Sequence, residues 1–302
     1  MSELPRFSDS DLPAVFRSAD LASLSAQRAY LRLVRADLAL IVLSAGVASW
    51  AVSSPEIRTV LAILAALLLA AGLVLTGIIL QTEHDRNWFA ARAVAESVKT
   101  VAWRYMTGAE PYETNLLDRD ADDLFCRELD AILRERRSIA SILGSEDASG
   151  HQITDMMRSV RSADTATRKE AYGRDRIQDQ RRWYAKKAGV NKALSDRWLI
   201  SIGVVQLLGA GAAIALVRWP EFKFNAAAVL AALAAALLAW LQLKQHQELA
   251  HSYGLAAHEL GLIEARAAHV RSDSDLSSFV ADAENAISRE HTMWTARRDT
   301  AS

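Results

Sequence analysis

Apolar and charged positions are segregated along this chain rather than mixed. Four blocks are almost free of Asp, Glu, Lys and Arg, and each is about 18 to 24 residues long. A helix rising 1.5 Å per residue crosses the hydrocarbon core of a membrane in roughly 20 residues. The pattern therefore predicts four transmembrane helices. They cover about residues 38–55, 58–82, 198–217 and 224–243.

The four blocks form two pairs, each joined by a very short connection. The connections Ser53–Glu56 and Arg218–Glu221 both contain proline, which disfavours helix at the residue before it. Each pair is therefore predicted to be a helical hairpin. Lysine and arginine are sparse in the two hairpin loops and abundant on the opposite flanks, so the positive-inside rule places both termini and the long middle segment in the cytoplasm.

The segments outside the blocks carry charges at helical spacing and contain little proline. A helix over 88–105 places Val94, Val98, Val101 and Tyr105 on one face, and we expect it to continue the second span straight into the cytoplasm. Further helices are expected over 121–143, 155–197, 244–268 and 276–298, with a flexible joint at 144–150 and Asp275 as the N-cap of the last helix. The fold predicted is all-α, with helices extending from the spans into a cytoplasmic helical domain.

Composition excludes several classes of function. The formal net charge of the 302-residue chain is −1, whereas a free nucleic-acid binder is normally basic. Cys126 is the one cysteine, which excludes a disulfide framework and a cysteine-based zinc site. No phosphate-binding loop, metalloprotease motif or nucleophile elbow occurs. His246, His251 and His258 are spaced too widely for a convincing metal site. We expect no enzyme activity and no cofactor.

The two halves of the chain follow the same order of elements. Each half has a basic segment, two spans and two further helices, and the closing helices share the strings Ala131-Ile132-x-Arg134-Glu135 and Ala286-Ile287-x-Arg289-Glu290. We interpret this as a tandem duplication. The predicted parts are an N-terminal cytoplasmic segment over 1–27, a first unit over 28–145, a linker over 146–160 and a second unit over 161–300.

One run of residues resembles a known superfamily. It reads Arg86-Asn87-Trp88-Phe89-x-x-Arg92-Ala93-x-Ala95-Glu96-Ser97-x-Lys99-Thr100-x-x-Trp103-Arg104-Tyr105 and closes in Ala109-Glu110-Pro111-Tyr112. This run resembles the SLATT superfamily, two-transmembrane effector domains of bacterial conflict systems. The second half resembles another SLATT subtype in the segments that begin at Arg182-Trp183-Tyr184 and at Glu284-Asn285-Ala286-Ile287.

This resemblance implies a pore-forming role in the bacterial inner membrane. In the superfamily that role is predicted to arrest or kill an infected cell, which makes it an anti-phage function. A cytoplasmic sensor or a nucleotide second messenger often controls it. The motifs that carry the resemblance are membrane and packing signatures rather than catalytic ones.

Small and polar positions inside the spans are the candidates for a pore lining or a helix interface. Small side chains let helix backbones approach closely, either within one chain or between the subunits of a homo-oligomer. The amide of Gln206 needs a hydrogen-bond partner in the bilayer. It could bond to a neighbouring helix of the same chain, bond to another subunit or line a pore. No ionisable residue is expected in the middle of a span. The candidates are Gln206, Gly209, Ala227, Ala231, Ala235, Ala62, Ala66 and Thr76.

The stretch 158–197 contains 12 Lys and Arg against 5 Asp and Glu. Its part next to the third span is expected to set topology and to contact anionic membrane lipid. A solvated helix face and capture of an anionic messenger are the other two interpretations. The candidate contact residues are Arg174, Arg176, Arg181, Arg182, Lys186 and Lys187.

The leading hypothesis is an oligomeric pore or ion channel that is gated through its cytoplasmic helices. The alternative is a non-conducting membrane adaptor or scaffold that docks a cytoplasmic partner. An ordinary transporter is disfavoured, because no discontinuous or charged span marks a substrate site.

Overall fold

The computed structural model describes residues 4–136, 142–143 and 150–299. Within these ranges the chain is helical, as predicted, and the only extended pairing is an isolated bridge between Trp50 and Phe224. Short 3-10 turns at Asp9–Asp11 and Ala267–His269 and a π-helical segment at Gly173–Gln178 accompany ten α-helices. The α-helices are α1 Ala14–Ala48, α2 Pro55–Thr82, α3 His84–Thr107, α4 Asp118–Glu135, α5 Asp155–Arg161, α6 Thr165–Tyr172, α7 Asp179–Arg218, α8 Ala226–Lys244, α9 His246–Arg266 and α10 Asp273–Asp299.

The chain divides into two compact units that are not the two sequence halves. One unit, here called the aromatic unit, comprises Met1–Gln27, Asp85–Lys187 and Ser252–Ser302. The other, here called the apolar unit, comprises Arg28–His84 and Ala188–His251. Each unit therefore draws residues from both sequence halves.

The core of the aromatic unit is built on the predicted face of α3. Val94, Val98 and Tyr105 are fully buried, which confirms the helical spacing read from the sequence. The Tyr105 ring lies 4.9 Å from that of Phe125 on α4 and 5.9 Å from that of Tyr112, measured between ring centroids. Apolar side chains at every third or fourth position of α3 thus meet the apolar face of α4.

Two predicted helix boundaries are wrong. The helix expected over 155–197 is interrupted after Arg161, because Asp164 accepts a hydrogen bond from the Thr167 amide and starts α6 as an N-cap. The last helix begins at Asp273 rather than after Asp275. There Ser272 and Asp275 exchange backbone and side-chain hydrogen bonds as a capping box, so Ser272 is the N-cap.

Helix α4 ends at Glu135, earlier than the predicted 121–143. Most of the difference lies outside the described residues, as does the predicted joint over 144–149. Of the predicted linker over 146–160, the described part contains Thr154, whose hydroxyl caps α5 by accepting a hydrogen bond from the Met157 amide.

The expected straight continuation from the second span into the next helix is interrupted at Glu83. This residue adopts the left-handed conformation, with φ of 46°, between α2 and α3. Gln245, with φ of 47°, occupies the corresponding place between α8 and α9. Left-handed backbone is uncommon for residues other than glycine, so its recurrence at equivalent points supports the interpretation of a duplication.

A buried ion pair lies inside the aromatic unit. Arg176, on the π-helical segment, donates from Nε and Nη2 to the two carboxylate oxygens of Glu284 at 2.9 and 2.8 Å. The side chains of this pair are 1% and 0% exposed. Thr100 and Tyr172 donate their hydroxyls to the same carboxylate at 2.8 and 3.0 Å. Glu284 thus accepts four hydrogen bonds in a region without solvent, which is the arrangement that a buried charge requires.

The carboxylate of Asp273 binds the start of α10 to other elements of this unit. Asp273 accepts hydrogen bonds from the hydroxyls of Thr165 and Thr114, and from Nη2 of Arg168 at 2.8 Å. Arg168 is buried, and its Nη1 also donates to the Thr107 carbonyl at 2.6 Å. Asp273 therefore links α10 to α6 and to the turn after α3.

Removing the Asp273 charge should change how the stability of the protein depends on pH. The hydrogen bond from Thr165, against a smaller opposing effect of burial, lowers the pKa of Asp273 below its ordinary value. The unfolded chain has a pKa of about 3.9 at this residue, so its contribution is complete above that pH and is lost as the pH falls through the folded pKa. Asp273→Asn should therefore reduce the free energy of unfolding at pH 7 and converge with the parent protein in acid.

Thermal unfolding in detergent at a series of pH values checks this expectation. Asp282→Asn is the matched control, because Asp282 is an exposed residue of the same helix. An Asp273→Asn deficit that persisted unchanged in acid would contradict the proposed titration.

Candidate functional site in the apolar helices

Three helical stretches among the described residues are long and apolar enough to cross a membrane. They are Pro55–Thr107, which includes α2, Thr165–Arg218, which includes α7, and Ala226–His269, which includes α8. Only 11%, 6% and 11% of their most apolar windows are buried within the chain. Large side chains such as Leu73, Leu207 and Val217 are therefore exposed, and water is a poor environment for so extensive an apolar surface.

The first predicted span, over 38–55, is not confirmed as an apolar helix of sufficient length. Helix α1 ends at Ala48, so only 11 helical residues follow Asp37, the last charge before the block. They extend about 16 Å, roughly half of a hydrocarbon core. A window of 18 residues that ends at Ala48 contains Arg32, Arg35 and Asp37. The charged part of α1 is consequently next to apolar helices of the same unit.

Contacts between α1 and α2 fix their antiparallel register. The Ser44 hydroxyl donates to the Ala65 carbonyl at 3.0 Å. Asp37 lies seven residues before Ser44 on α1, and it contacts Gly72, which lies seven residues after Ala65 on α2. A Cβ atom placed on Gly72 would lie 3.3 Å from Asp37 Oδ1, and the Thr76 hydroxyl is 3.5 Å from the same oxygen.

This register places Asp37 level with the middle of the apolar block of α2. Gly72 is ten residues before Thr82, the end of α2, and thirteen residues after Thr59, where the uncharged block starts. These separations correspond to about 15 and 20 Å along the helix axis. Asp37 lies just outside the predicted span over 38–55, so the expectation of no ionisable residue in the middle of a span stays a prediction.

Helix α1 also runs antiparallel to α8. At one end the Asn225 amide donates to the Ser49 carbonyl at 2.8 Å, and the rings of Trp50 and Phe224 lie 4.9 Å apart. At the other end the Arg35 guanidinium lies 4.8 Å from the centre of the Trp240 ring. The two short interhelical connections of the apolar unit are therefore paired at one end of its helices.

The predicted alanine faces are exposed on the single chain. Ala231 and Ala235 on α8 are exposed, as are Ala62 and Ala66 on α2, whereas Ala227 is half-buried. Other small residues make the contacts within the chain: Ala65 and Gly72 are buried. The hypothesis of packing between subunits through the exposed alanines stays a prediction.

Of the other candidates in the spans, Gly209 lies at a close helix contact. A Cβ on Gly209 would be 3.4 Å from Cβ of Leu230, so this residue lets α7 and α8 approach. Gln206 is exposed on α7, and its role stays open. Thr76 is also exposed, with its hydroxyl directed at Asp37.

The six basic candidates do not form one surface. Arg176 is buried against Glu284 and is not available to a soluble anion. Arg174 pairs with the neighbouring Asp175 at 2.7 Å, and Arg181 pairs with Glu264 at 2.7 Å. The remaining candidates, Arg182, Lys186 and Lys187, are exposed on α7.

The three histidines that are not expected to bind a metal differ in their burial. His246 is buried, and its Nδ1 lies 2.8 Å from Oδ1 of Asn191, so this ring packs and bonds between α7 and α9. Among the described residues no three His, Cys, Asp or Glu side chains are grouped so that they could hold a metal ion.

Sequence reasoning missed Asp37. The residue stands immediately before an uncharged block, and none of the site predictions from the sequence includes it. Its position relative to α2 depends on the offset between the two helices, and the spacing of residues within α1 does not determine that offset. A charge so close to a block only about 18 residues long was the one available signal.

Comparison with known families matches nearly the whole chain. The family model described as SMODS and SLOG-associating 2TM effector domain 3 matches residues 13–169. The model for SMODS and SLOG-associating 2TM effector domain 1 matches residues 172–294. No curated protein and no solved structure matches the chain. With one model covering more than half of its length and a second following directly, the chain belongs to the SLATT family of membrane-associated two-transmembrane effector domains and carries two of them in tandem.

Proposed function

We propose that this protein is an oligomeric pore of the bacterial inner membrane that acts as an effector in a conflict system against phage. The observation that carries the proposal is that only 11%, 6% and 11% of the most apolar windows that include α2, α7 and α8 are buried, in a tandem effector protein. Such side chains require lipid or other subunits around them. In this proposal α1 completes a set of four membrane helices, arranged as two hairpins.

Topology follows from the distribution of charge. The connections around Trp50 and Phe224 pair with each other and carry few cations, whereas Arg28, Arg32 and the exposed Lys186 and Lys187 lie at the opposite ends of their helices. The positive-inside rule then places both termini in the cytoplasm. The exposed cations of α7 are suited to anionic lipid headgroups, each contributing about 1 kcal/mol near the surface.

Assembly through alanine faces is the proposed route to a pore. Helices α2 and α8 present Ala62, Ala66, Ala231 and Ala235 outward, and small residues allow close packing where lipid removes the hydrophobic driving force. Gating is proposed to start in the aromatic unit, from a cytoplasmic sensor or a nucleotide second messenger. No catalytic step belongs to this function.

Planar-bilayer recording of the purified, reconstituted protein tests the proposal. We expect discrete current steps, and we expect the double substitution Ala231→Phe/Ala235→Phe to reduce their frequency at least tenfold, since bulky rings separate the helices. Leu207→Phe is the control, because this exposed position on α7 is already bulky. Oligomeric mass in detergent and in lipid nanodiscs should fall in parallel with the current.

A protein that stays monomeric in both media would contradict the pore. Oligomers that remain electrically silent, with the alanine variants altering stability alone, would favour the non-conducting adaptor that docks a cytoplasmic partner.

A further inference from the structure

Asp37 is an acidic side chain without an ionic partner among the described residues of its unit. The nearest polar atom described for it is the Thr76 hydroxyl at 3.5 Å, and Gly72 leaves space for the carboxylate against α2. Ser44, the next polar side chain along α1, donates to the Ala65 carbonyl instead. One carboxylate of α1 and one hydroxyl of the apolar helix α2 thus lie beside each other.

The carboxylate is only half covered by its own chain. Asp37 and Thr76 both retain exposed surface, although Gly72 beneath them is buried. Facing hydrocarbon, the carboxylate would be unfavourable, since lipid tails offer neither hydrogen bonds nor a counter-charge. Its open side is therefore expected to face water or another subunit.

The cationic side chains near Asp37 contact an aromatic ring of α8 instead of this carboxylate. The Arg35 guanidinium lies over the Trp240 ring, and Lys244 Nζ is 5.9 Å from the centre of the same ring. Neither cation forms an ion pair with Asp37 in the described part of the chain. Among the described residues, the Asp37 carboxylate is therefore without an ion pair.

We propose that Asp37 is the residue that makes the pore selective for cations over anions, with the Thr76 hydroxyl beside it. This inference rests on the pore proposed above. Closed rotational symmetry repeats one Asp37 in each subunit at the same depth, and rings of carboxylates are the usual selectivity element of cation channels.

The test is the reversal potential of single-channel currents under a KCl gradient. The parent protein should prefer K⁺ over Cl⁻, and Asp37→Asn should lower the permeability ratio by about tenfold, toward equal permeability, while current steps persist. Asp37→Glu should keep the preference. Asp282→Asn, which removes an exposed acid from α10, should leave the ratio unchanged.

A second variant keeps the test independent of the folding of Asp37→Asn. Asp37→Cys in a Cys126→Ser background can be treated with charged methanethiosulfonates, which form a disulfide with the thiol and release methanesulfinate. An anionic adduct should restore cation preference, and a cationic adduct should invert it. Cys126 is exposed, so its removal is needed for labelling at a single site.

The outcomes separate this inference from the proposed function. Currents whose selectivity does not respond to Asp37 overturn the inference and leave the pore standing. Loss of oligomer in Asp37→Asn with unchanged selectivity of the remaining channels assigns Asp37 to a contact between subunits, and also overturns the inference. Absence of any current from the parent oligomer overturns the pore itself.

Discussion

Arg176→Met should lower the free energy of unfolding by about 3–5 kcal/mol, one of the two largest effects that we expect from a single substitution. The variant leaves the Glu284 carboxylate in a site that is 0% exposed, with only the hydroxyls of Thr100 and Tyr172 as donors. Two hydroxyls do not replace a guanidinium that binds both carboxylate oxygens, because an uncompensated charge without solvent is strongly unfavourable.

Most of that loss should be recovered when the charge of the partner is removed as well. Arg176→Met/Glu284→Gln keeps an amide oxygen that accepts from Thr100 and Tyr172, so the double variant should be much closer to the parent than Arg176→Met alone. Denaturant unfolding in mild detergent, followed by tryptophan fluorescence, measures all three proteins.

An exposed ion pair of the same unit is the matched control. Arg181 and Glu264 lie 2.7 Å apart, but their side chains are 50% and 28% exposed. Arg181→Met should therefore cost no more than about 1 kcal/mol. Equal losses from the two methionine variants would mean that Arg176 contributes no more than a surface charge.

Gly108→Ala should be the second large effect, at about 3 kcal/mol or more. Gly108 has φ of +69°, a conformation that costs residues with a Cβ about 1–2 kcal/mol. The new Cβ would also lie 2.6 Å from Nη1 of Arg168 and 2.7 Å from Cγ2 of Thr114. Arg168 is buried and donates from that nitrogen to the Thr107 carbonyl, so its displacement removes a hydrogen bond worth about 1.5–3 kcal/mol.

The same substitution at Gly254 should have the opposite sign. Gly254 lies inside α9 with no atom within 4 Å of an added Cβ, and alanine is favoured over glycine in a helix by about 1 kcal/mol. Thermal unfolding of the two alanine variants side by side gives the comparison. If Gly108→Ala were as stable as Gly254→Ala, the turn after α3 would have to rearrange freely.

The sequence was sufficient where structure depends on neighbours along the chain. Val94, Val98 and Tyr105 recur at helical spacing, and they are buried together as predicted. Apolar blocks likewise located α2, α7 and α8, because length and the absence of charge are sufficient to identify such helices. The predicted helix boundaries were less accurate. Asp164 and Ser272 each accept a hydrogen bond from a backbone amide at the start of a helix, and these N-caps set where the helices begin.

The sequence was insufficient where a residue depends on a distant partner. In the sequence, Arg176 could not be distinguished from the surface cations around it. Its burial depends on the ion pair with Glu284, which is 108 positions later. The contacts of Asp37 with Gly72 and Thr76 depend on the offset between α1 and α2 that Ser44 and Ala65 reveal. Neither relation is encoded in local spacing.

The buried carboxylate also couples the two tandem domains. Thr100 belongs to the first matched domain, whereas Arg176 and Glu284 belong to the second, and all three meet at one site. A gene fragment that encodes either domain alone would lack part of this arrangement. We therefore expect a substitution at Thr100 in the first domain to weaken the binding of the Glu284 carboxylate in the second.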